Sequence, residues 1–149
     1  MTSILMVCLG NICRSPLAQG IMQSKLNANT YYVDSAGTSN YHIGDPPDQR
    51  SIKVGRENGI DISAQMGRQF KVMDFDDFDH IFVMDESNYE NILALARTKA
   101  DEQKVKLILN TNEDTSNHTV PDPYHGEYSD FKNVYSLLDK ACEYWAKRL

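Results

Sequence analysis

Apolar residues fall along this chain in short runs, unbroken from Ile4 to Val7 and from Ile81 to Met84. Ser3 to Val7, Tyr31 to Ala36, Ile81 to Met84 and Val105 to Leu109 each read as a strand. None alternates apolar with polar, so both faces of the sheet are expected to be covered. Between the runs the spacing turns helical. Ser15 is placed to cap a first helix, with Pro16 at its first position and Leu17, Ile21 and Leu26 on its buried face. Gly37 is expected to break the second strand, and Thr38 to Pro47 reads as a loop. A second helix is predicted from Pro47 or Asp48 to the Asn58-Gly59 cap pair. A third spans Glu86 to Lys99, with Ile92, Leu93, Leu95 and Ala96 inward. Asn110 to Gly126 is a polar loop. The last helix runs from about Ser129 to Arg148, with Phe131, Val134, Tyr135, Leu138, Ala141, Cys142 and Trp145 on one stripe.

Strands alternating with helices predict an α/β sandwich: a four-stranded parallel sheet flanked by helices on both faces. In such sheets ligands sit at the carboxyl ends of the strands, where the strand order reverses. Cys8 falls at such an end. At 149 residues the chain is expected to form a single domain, 1–149, with a core of its own.

Charge and cysteine usage narrow the partners. The formal net charge of -6 argues against nucleic acid as a partner, though not against a local basic pocket around Arg14. The first apolar run is too short for a membrane span and has no basic leader, so no membrane association is expected. Three cysteines in no framework spacing fit a reducing, cytoplasmic setting, where the Asn117-His118-Thr119 sequon is idle. Self-association is expected to be weak or absent. His42, His80, His118 and His125 show no metal-ligand spacing, and neither a metal nor another cofactor is expected. Asp74 to Asp79 lacks the glycine and glutamate of a calcium loop and reads as a solvated turn around buried Phe75 and Phe78. Cys142, on the last helical stripe, reads as core.

The chemistry concentrates in Cys8-Leu9-Gly10-Asn11-Ile12-Cys13-Arg14-Ser15, between the first strand and the first helix. Such a loop can aim several backbone N–H groups at one point beside a guanidinium, a trap suited to a tetrahedral dianion. A cysteine next to a helix N-terminus and an arginine is poised as a thiolate nucleophile, and Ser15 offers its sulfur a hydroxyl. Arg14 presents a two-pronged fork to phosphoryl oxygens. Gly10 permits close backbone approach, and Asn11 tolerates left-handed angles. The natural acid for a departing alkoxide or phenoxide is Asp122, clamped between Pro121 and Pro123. Once ionised, it can activate water against a phosphocysteine. Tyr41 and Tyr124 are placed to wall an aromatic leaving group.

Cys8 to Pro16 (CLGNICRSP) resembles the signature loop of the low-molecular-weight protein tyrosine phosphatases. The resemblance continues in order through Asp34 to Ser39 (DSAGTS), Gly44 to Asp48 (GDPPD), Gly67 to Gln69 (GRQ), Met84 to Asn88 (MDESN) and Asp122 to Tyr124 (DPY). It implies a flavodoxin-like three-layer fold and a phosphotyrosine-containing protein as substrate. It implies Cys8 as nucleophile, Arg14 as phosphate and transition-state binder and Asp122 as general acid and base. The substrate-binding set would be Leu9, Gly10, Asn11, Ile12, Cys13, Ser15, Tyr41 and Tyr124. Ser35 would join Asn11 and Ser15 in supporting the loop, and Cys13 would bond reversibly to Cys8 on oxidation. Two departures stand out. Many eukaryotic members carry a histidine shortly before the arginine-glutamine pair, bonded to the loop asparagine, where this chain has Gln65-Met66; Gln65 is expected to take over that support. Tyr124 is followed by His125, where several relatives have a second tyrosine.

Two other activities share parts of this pattern. A thiol-dependent arsenate reductase uses a similar loop but needs a downstream cysteine pair, and no cysteine lies between Cys13 and Cys142. A cysteine phosphocarrier has no use for an acid aimed at a leaving group, so Asp122 argues against it. Substrate choice is expected to rest on Tyr41, His42 and Asn112 to Thr119.

Overall fold

The computed structural model describes residues 1–111 and 118–149. Residues 112–117, which hold most of the segment expected to shape substrate choice and Asn117 of the sequon, lie outside the described residues. Four strands, β1 (Thr2–Cys8), β2 (Tyr31–Gly37), β3 (His80–Val83) and β4 (Val105–Leu107), form one all-parallel sheet in the order β2-β1-β3-β4. Among the described residues six helices accompany them: α1 (Arg14–Lys25), α2 (Gln49–Glu57), α3 (Asp74–Asp77), α4 (Glu86–Leu93), α5 (Lys99–Lys104) and α6 (Tyr128–Ala146).

The unbroken apolar runs of β1 and β3 are explained by two cores, one on each face. Ile4, Met6 and Cys8 of β1 point into a core shared with α1, α2 and α6. Leu5 and Val7 point the other way, toward Phe75, Phe78, Ile81 and Ile92. Successive strand residues therefore face opposite layers, and each must be apolar. Fully burying a side chain of the size of Leu5 or Phe82 contributes roughly 1.5–3 kcal/mol, and both are inaccessible to solvent. The α6 stripe buries Phe131, Val134, Leu138, Ala141 and Cys142, with Tyr135 and Trp145 packed beside it.

Several boundaries differ from the sequence expectation, each for a local reason. Helix α1 starts at Arg14 with Cys13 at its N-cap, so Ser15 lies inside the helix and Pro16 third in it. The first turn lacks intrahelical N–H partners anyway, so proline is tolerated there. Ser15 does not cap because its hydroxyl is engaged in the loop below. Gly37 does not break β2; it is its last residue, paired with Cys8 and bridged to Gln69. The helix expected over Glu86 to Lys99 stops at Leu93, because Thr98 accepts from Asp101 N–H and caps a separate helix, α5. Leu95 falls in the break and is 44% exposed rather than core. The aspartate-rich turn forms the single helical turn α3. Phe75 and Phe78 are buried there as expected, but Asp74 is buried too, ion-paired with Arg68. The Asn58-Gly59 cap matches expectation, with Gly59 at φ +78°. Among the described residues, no helix is long and apolar enough to cross a membrane.

Candidate active site

The site is built where β1 hands over to α1. β1 is the switch strand: β2 lies on one side of it and β3 on the other. The loop that leaves it is held by its carbonyls. Cys8 O accepts from Thr38 N at 2.9 Å, Leu9 O from Ser39 N at 3.0 Å and Ile12 O from Asp48 N at 2.8 Å. Cys13 O receives Leu17 N and the Ser51 hydroxyl. All of these donors lie outside the loop. In a trans peptide the N–H points opposite to the carbonyl, and no peptide bond in the described chain is cis. Turning these carbonyls outward therefore turns the N–H groups of Leu9, Gly10, Cys13 and Arg14 the other way. That is the nest geometry that binds oxyanions.

Asn11 sets the curvature. Its φ of 58° makes it the one non-glycine residue in the left-handed region among the described residues. Its buried amide makes three hydrogen bonds within the fold. Nδ2 donates to Ser15 Oγ at 2.8 Å and to Ser35 Oγ at 3.0 Å, and Oδ1 accepts from Arg68 N–H at 3.0 Å. A backbone N–H can only donate, so that contact fixes which way the amide faces. Ser35 in turn donates to Gln19 Oε1 at 2.6 Å. Ser15 Oγ accepts from Asn11 and lies 3.0 Å from Cys8 Sγ, against 3.5 Å from Ala36 O. The hydroxyl thus sits between the sulfur and the Asn11 amide, within hydrogen-bond reach of both. Gln65 does not support the loop asparagine; its Nε2 bonds Pro16 O instead. Arg68 N–H, Ser15 and Ser35 are the partners of Asn11 instead.

Arg14 is buried, and its Nη1 donates to Asp85 Oδ2 at 2.7 Å and to Val120 O at 2.9 Å. Burial works against its charge, but the Cys8 sulfur, Asp85 and Asp122 outweigh it and hold the guanidinium above its ordinary pKa. Asp122 Oδ2 stands 3.9 Å from Arg14 Nη2, with the Asp122 side chain 46% exposed at the pocket mouth. Its Oδ1 accepts from Tyr124 N–H at 3.2 Å. Burial pushes the Cys13 thiol up to about 12, reinforced by Asp48, Cys8 and Asp122 and opposed by Ser51. Cys13 is therefore a neutral thiol at physiological pH, as is Cys142, also raised to about 12 by burial in the core.

Cys8, Leu9, Gly10, Ile12, Cys13 and Arg14 line a pocket of about 200 Å³ that Tyr41, His42, Asp122, Tyr124 and His125 complete. The sequence-predicted set thus converges on one cleft, with Asn11, Ser15 and Ser35 beneath it as supports. The sequence reading assigned no role to Asp85, Arg68 or Val120. Asp85 and Arg68 lie within the Met84 to Asn88 and Gly67 to Gln69 segments singled out by resemblance, which was the available signal. Gly37 also belongs to the site: a Cβ there would lie 2.7 Å from Leu9 O and 3.1 Å from Asn11 N.

Comparison with known proteins gives a consistent result. The family model for low molecular weight phosphotyrosine protein phosphatase matches residues 3–149. The chain is 38% identical over 145 residues to the low molecular weight phosphotyrosine protein phosphatase of Saccharomyces cerevisiae, covering 91% of this chain and 88% of that one. Among solved structures it superposes on a protein tyrosine phosphatase from Entamoeba histolytica with Hepes in the active site, at a TM-score of 0.93 and 36% identity, covering 99% and 96% of the two chains. It also superposes on Vibrio vulnificus Wzb in complex with benzylphosphonate, at a TM-score of 0.89 and 31% identity, covering 99% of each.

Proposed function

The chain belongs to the low molecular weight phosphotyrosine protein phosphatase family, and from that premise we propose how its residues divide the work of a protein-tyrosine-phosphatase. The observation that carries the assignment is one pocket lined by Cys8, Arg14 and Asp122. Cys8 Sγ attacks phosphorus, and the S–P bond forms as the P–O bond to the tyrosyl oxygen breaks. Asp122 gives its proton to that departing oxygen. The inward N–H groups and Arg14 bind the three non-bridging oxygens and follow their charge through the transition state. In the second half, ionised Asp122 takes a proton from water as the water attacks phosphorus. The S–P bond breaks, inorganic phosphate leaves and the thiolate returns, steadied by Ser15. Acid and base help of this kind is worth about 10²–10⁴-fold.

The substrates are phosphoproteins carrying phosphotyrosine. Tyr41 and Tyr124 flank the aryl ring in this reading, and the depth of Cys8, 2% exposed, disfavours the shorter phosphoserine. The chain acts as one catalytic domain, residues 1–149, in the cytoplasm. It needs no nucleic acid or membrane and acts as a monomer or weak self-associate. Cys13 supplies the second sulfur for a reversible disulfide after Cys8 is oxidised. An arsenate reductase reading finds no support in Cys142, which is buried and directed at Ala18 O. The test is hydrolysis of paired phosphotyrosine and phosphoserine peptides. Wild type is expected to favour phosphotyrosine strongly, and Cys8→Ser to abolish turnover; turnover that survives in Cys8→Ser removes the phosphocysteine mechanism.

A further inference from the structure

We propose that Arg50 is a positioning residue for the general acid, tying the turn that carries Asp122 to the wall of the phosphate-binding loop; this rests on the reading of Asp122 as the acid. Asp122 has weak holds of its own. One oxygen accepts a 3.2 Å bond from Tyr124 N–H, the other lies 3.9 Å from Arg14, and the side chain is nearly half exposed. The turn is anchored from outside instead. Arg50 Nη2 donates to Tyr124 O at 2.9 Å and Nη1 to Gly126 O at 3.4 Å, two carbonyls just downstream of the acid. The guanidinium carbon lies 4.4 Å from the Phe131 ring centre and 5.7 Å from that of Tyr124.

The other side of the same guanidinium is fixed to the loop. Asp48 accepts from Arg50 Nε at 3.0 Å and from Nη2 at 2.9 Å, while Asp48 N–H bonds Ile12 O at 2.8 Å. A short chain of contacts, Ile12 to Asp48 to Arg50 to Tyr124, thus sets the distance between the phosphate cradle and the acid. A planar five-donor fork can make these four hydrogen bonds at once, to both oxygens of a carboxylate and to two carbonyls, whereas a lysine has only three donors. Asp48 caps α2 through the Arg50 backbone N–H. Truncating the Arg50 side chain therefore leaves that helix start in place.

The test compares kcat/KM for phenyl phosphate, whose leaving group needs a proton, with 2,4-dinitrophenyl phosphate, whose leaving group does not. A misplacement near 1 Å costs about 10²-fold, so Arg50→Ala is expected to lose roughly 10- to 100-fold on phenyl phosphate and less than about 3-fold on the dinitrophenyl ester. Inhibition by inorganic phosphate should stay within about twofold, because the cradle is untouched. Arg50→Lys should fall between, and it keeps the test open if the alanine variant folds poorly. Adding Arg50→Ala to Asp122→Ala should cost phenyl phosphate nothing further, since both act through one proton. Equal losses on the two esters, or additive losses in the double variant, overturn the proposal. Asp122→Ala alone separates the two layers. If it leaves leaving-group sensitivity unchanged, both the acid assignment and the Arg50 role fall; if it steepens that sensitivity while Arg50→Ala and Arg50→Lys do not, only the Arg50 role falls.

Discussion

Replacing Asn11 with alanine removes three hydrogen bonds at a residue 3% exposed and leaves a methyl-bearing residue at φ 58°. Each bond contributes about 1 kcal/mol net, and the orphaned Arg68 N–H adds part of its desolvation cost. Holding alanine in the left-handed region costs a further 1–2 kcal/mol or so. The loss therefore comes to about 4 kcal/mol, a large share of the roughly 5–15 kcal/mol that keeps a domain folded. Asn11→Gly separates the two contributions. It loses the same bonds but not the backbone strain, and after the extra chain entropy of glycine it should recover about 0.5–1 kcal/mol relative to alanine. Urea denaturation followed by fluorescence of Trp145 reads both free energies, and thermal unfolding should show a drop in Tm of about 10 °C for the alanine variant. Both variants also remove the amide that holds the Ser15 hydroxyl beside Cys8 and should lose kcat/KM alongside stability. If alanine and glycine variants prove equally stable, the left-handed constraint is the wrong explanation; if alanine costs less than about 1 kcal/mol, so is the hydrogen-bond account.

Other consequences can be checked directly. Gly37→Ala places a Cβ against backbone of Leu9 and Asn11, with no flexible side chain to yield. It should fold but bind inorganic phosphate at least about 10-fold more weakly, near 1.4 kcal/mol, by competitive inhibition; unchanged inhibition would show the loop indifferent to that strand end. Cys142 loses its proton near 9.0 when exposed and near 12 when buried in the fold. Its contribution to stability is therefore complete below pH 9 and drains away as pH rises toward 12. Urea midpoints measured across that window should fall less steeply in Cys142→Ala than in wild type; parallel curves would reject burial as the cause. Native-state alkylation at pH 7–8 should label Cys8 and spare Cys13 and Cys142, both raised to about 12, and phosphate should protect Cys8. Mass spectrometry that finds Cys13 labelled first would contradict the assigned protonation.

What the sequence made legible was whatever local order encodes. The unbroken apolar runs in β1 and β3 announced strands buried on two faces, because β1 sends Ile4 and Leu5 into different cores. The phosphate cradle was legible because its parts are consecutive, from Cys8 to Ser15. The break between α4 and α5 was not. Leu93, Leu95 and Ala96 continue an apolar pattern, while the helix stop depends on Thr98 capping the next one and on Arg97 reaching Asp76 as well as Asp101. Anchors of the site were hidden for a related reason. Arg14 meets Val120 across 106 positions, Arg50 meets Tyr124 across 74 and Arg68 meets Asn11 across 57. No periodicity reports such meetings. Gln65 stands near the position of the relatives' histidine in sequence but not beside Asn11 in space, because its amide turns to Pro16.

The outward bonds on Cys8, Leu9, Ile12 and Cys13 carbonyls are all made to the protein's own groups, so the cradle takes its shape from the fold rather than from its guest. A receptor built in advance spends little ordering on capture, so it holds its guest tightly. Free phosphate, the end of the reaction, presents the same tetrahedron of oxygens as the ester that began it. The cradle cannot favour one without favouring the other, and discrimination must come from the ring at the pocket mouth. Turnover in the cell is therefore coupled to ambient phosphate: as that pool rises, a growing share of enzyme stands occupied by what it has already made.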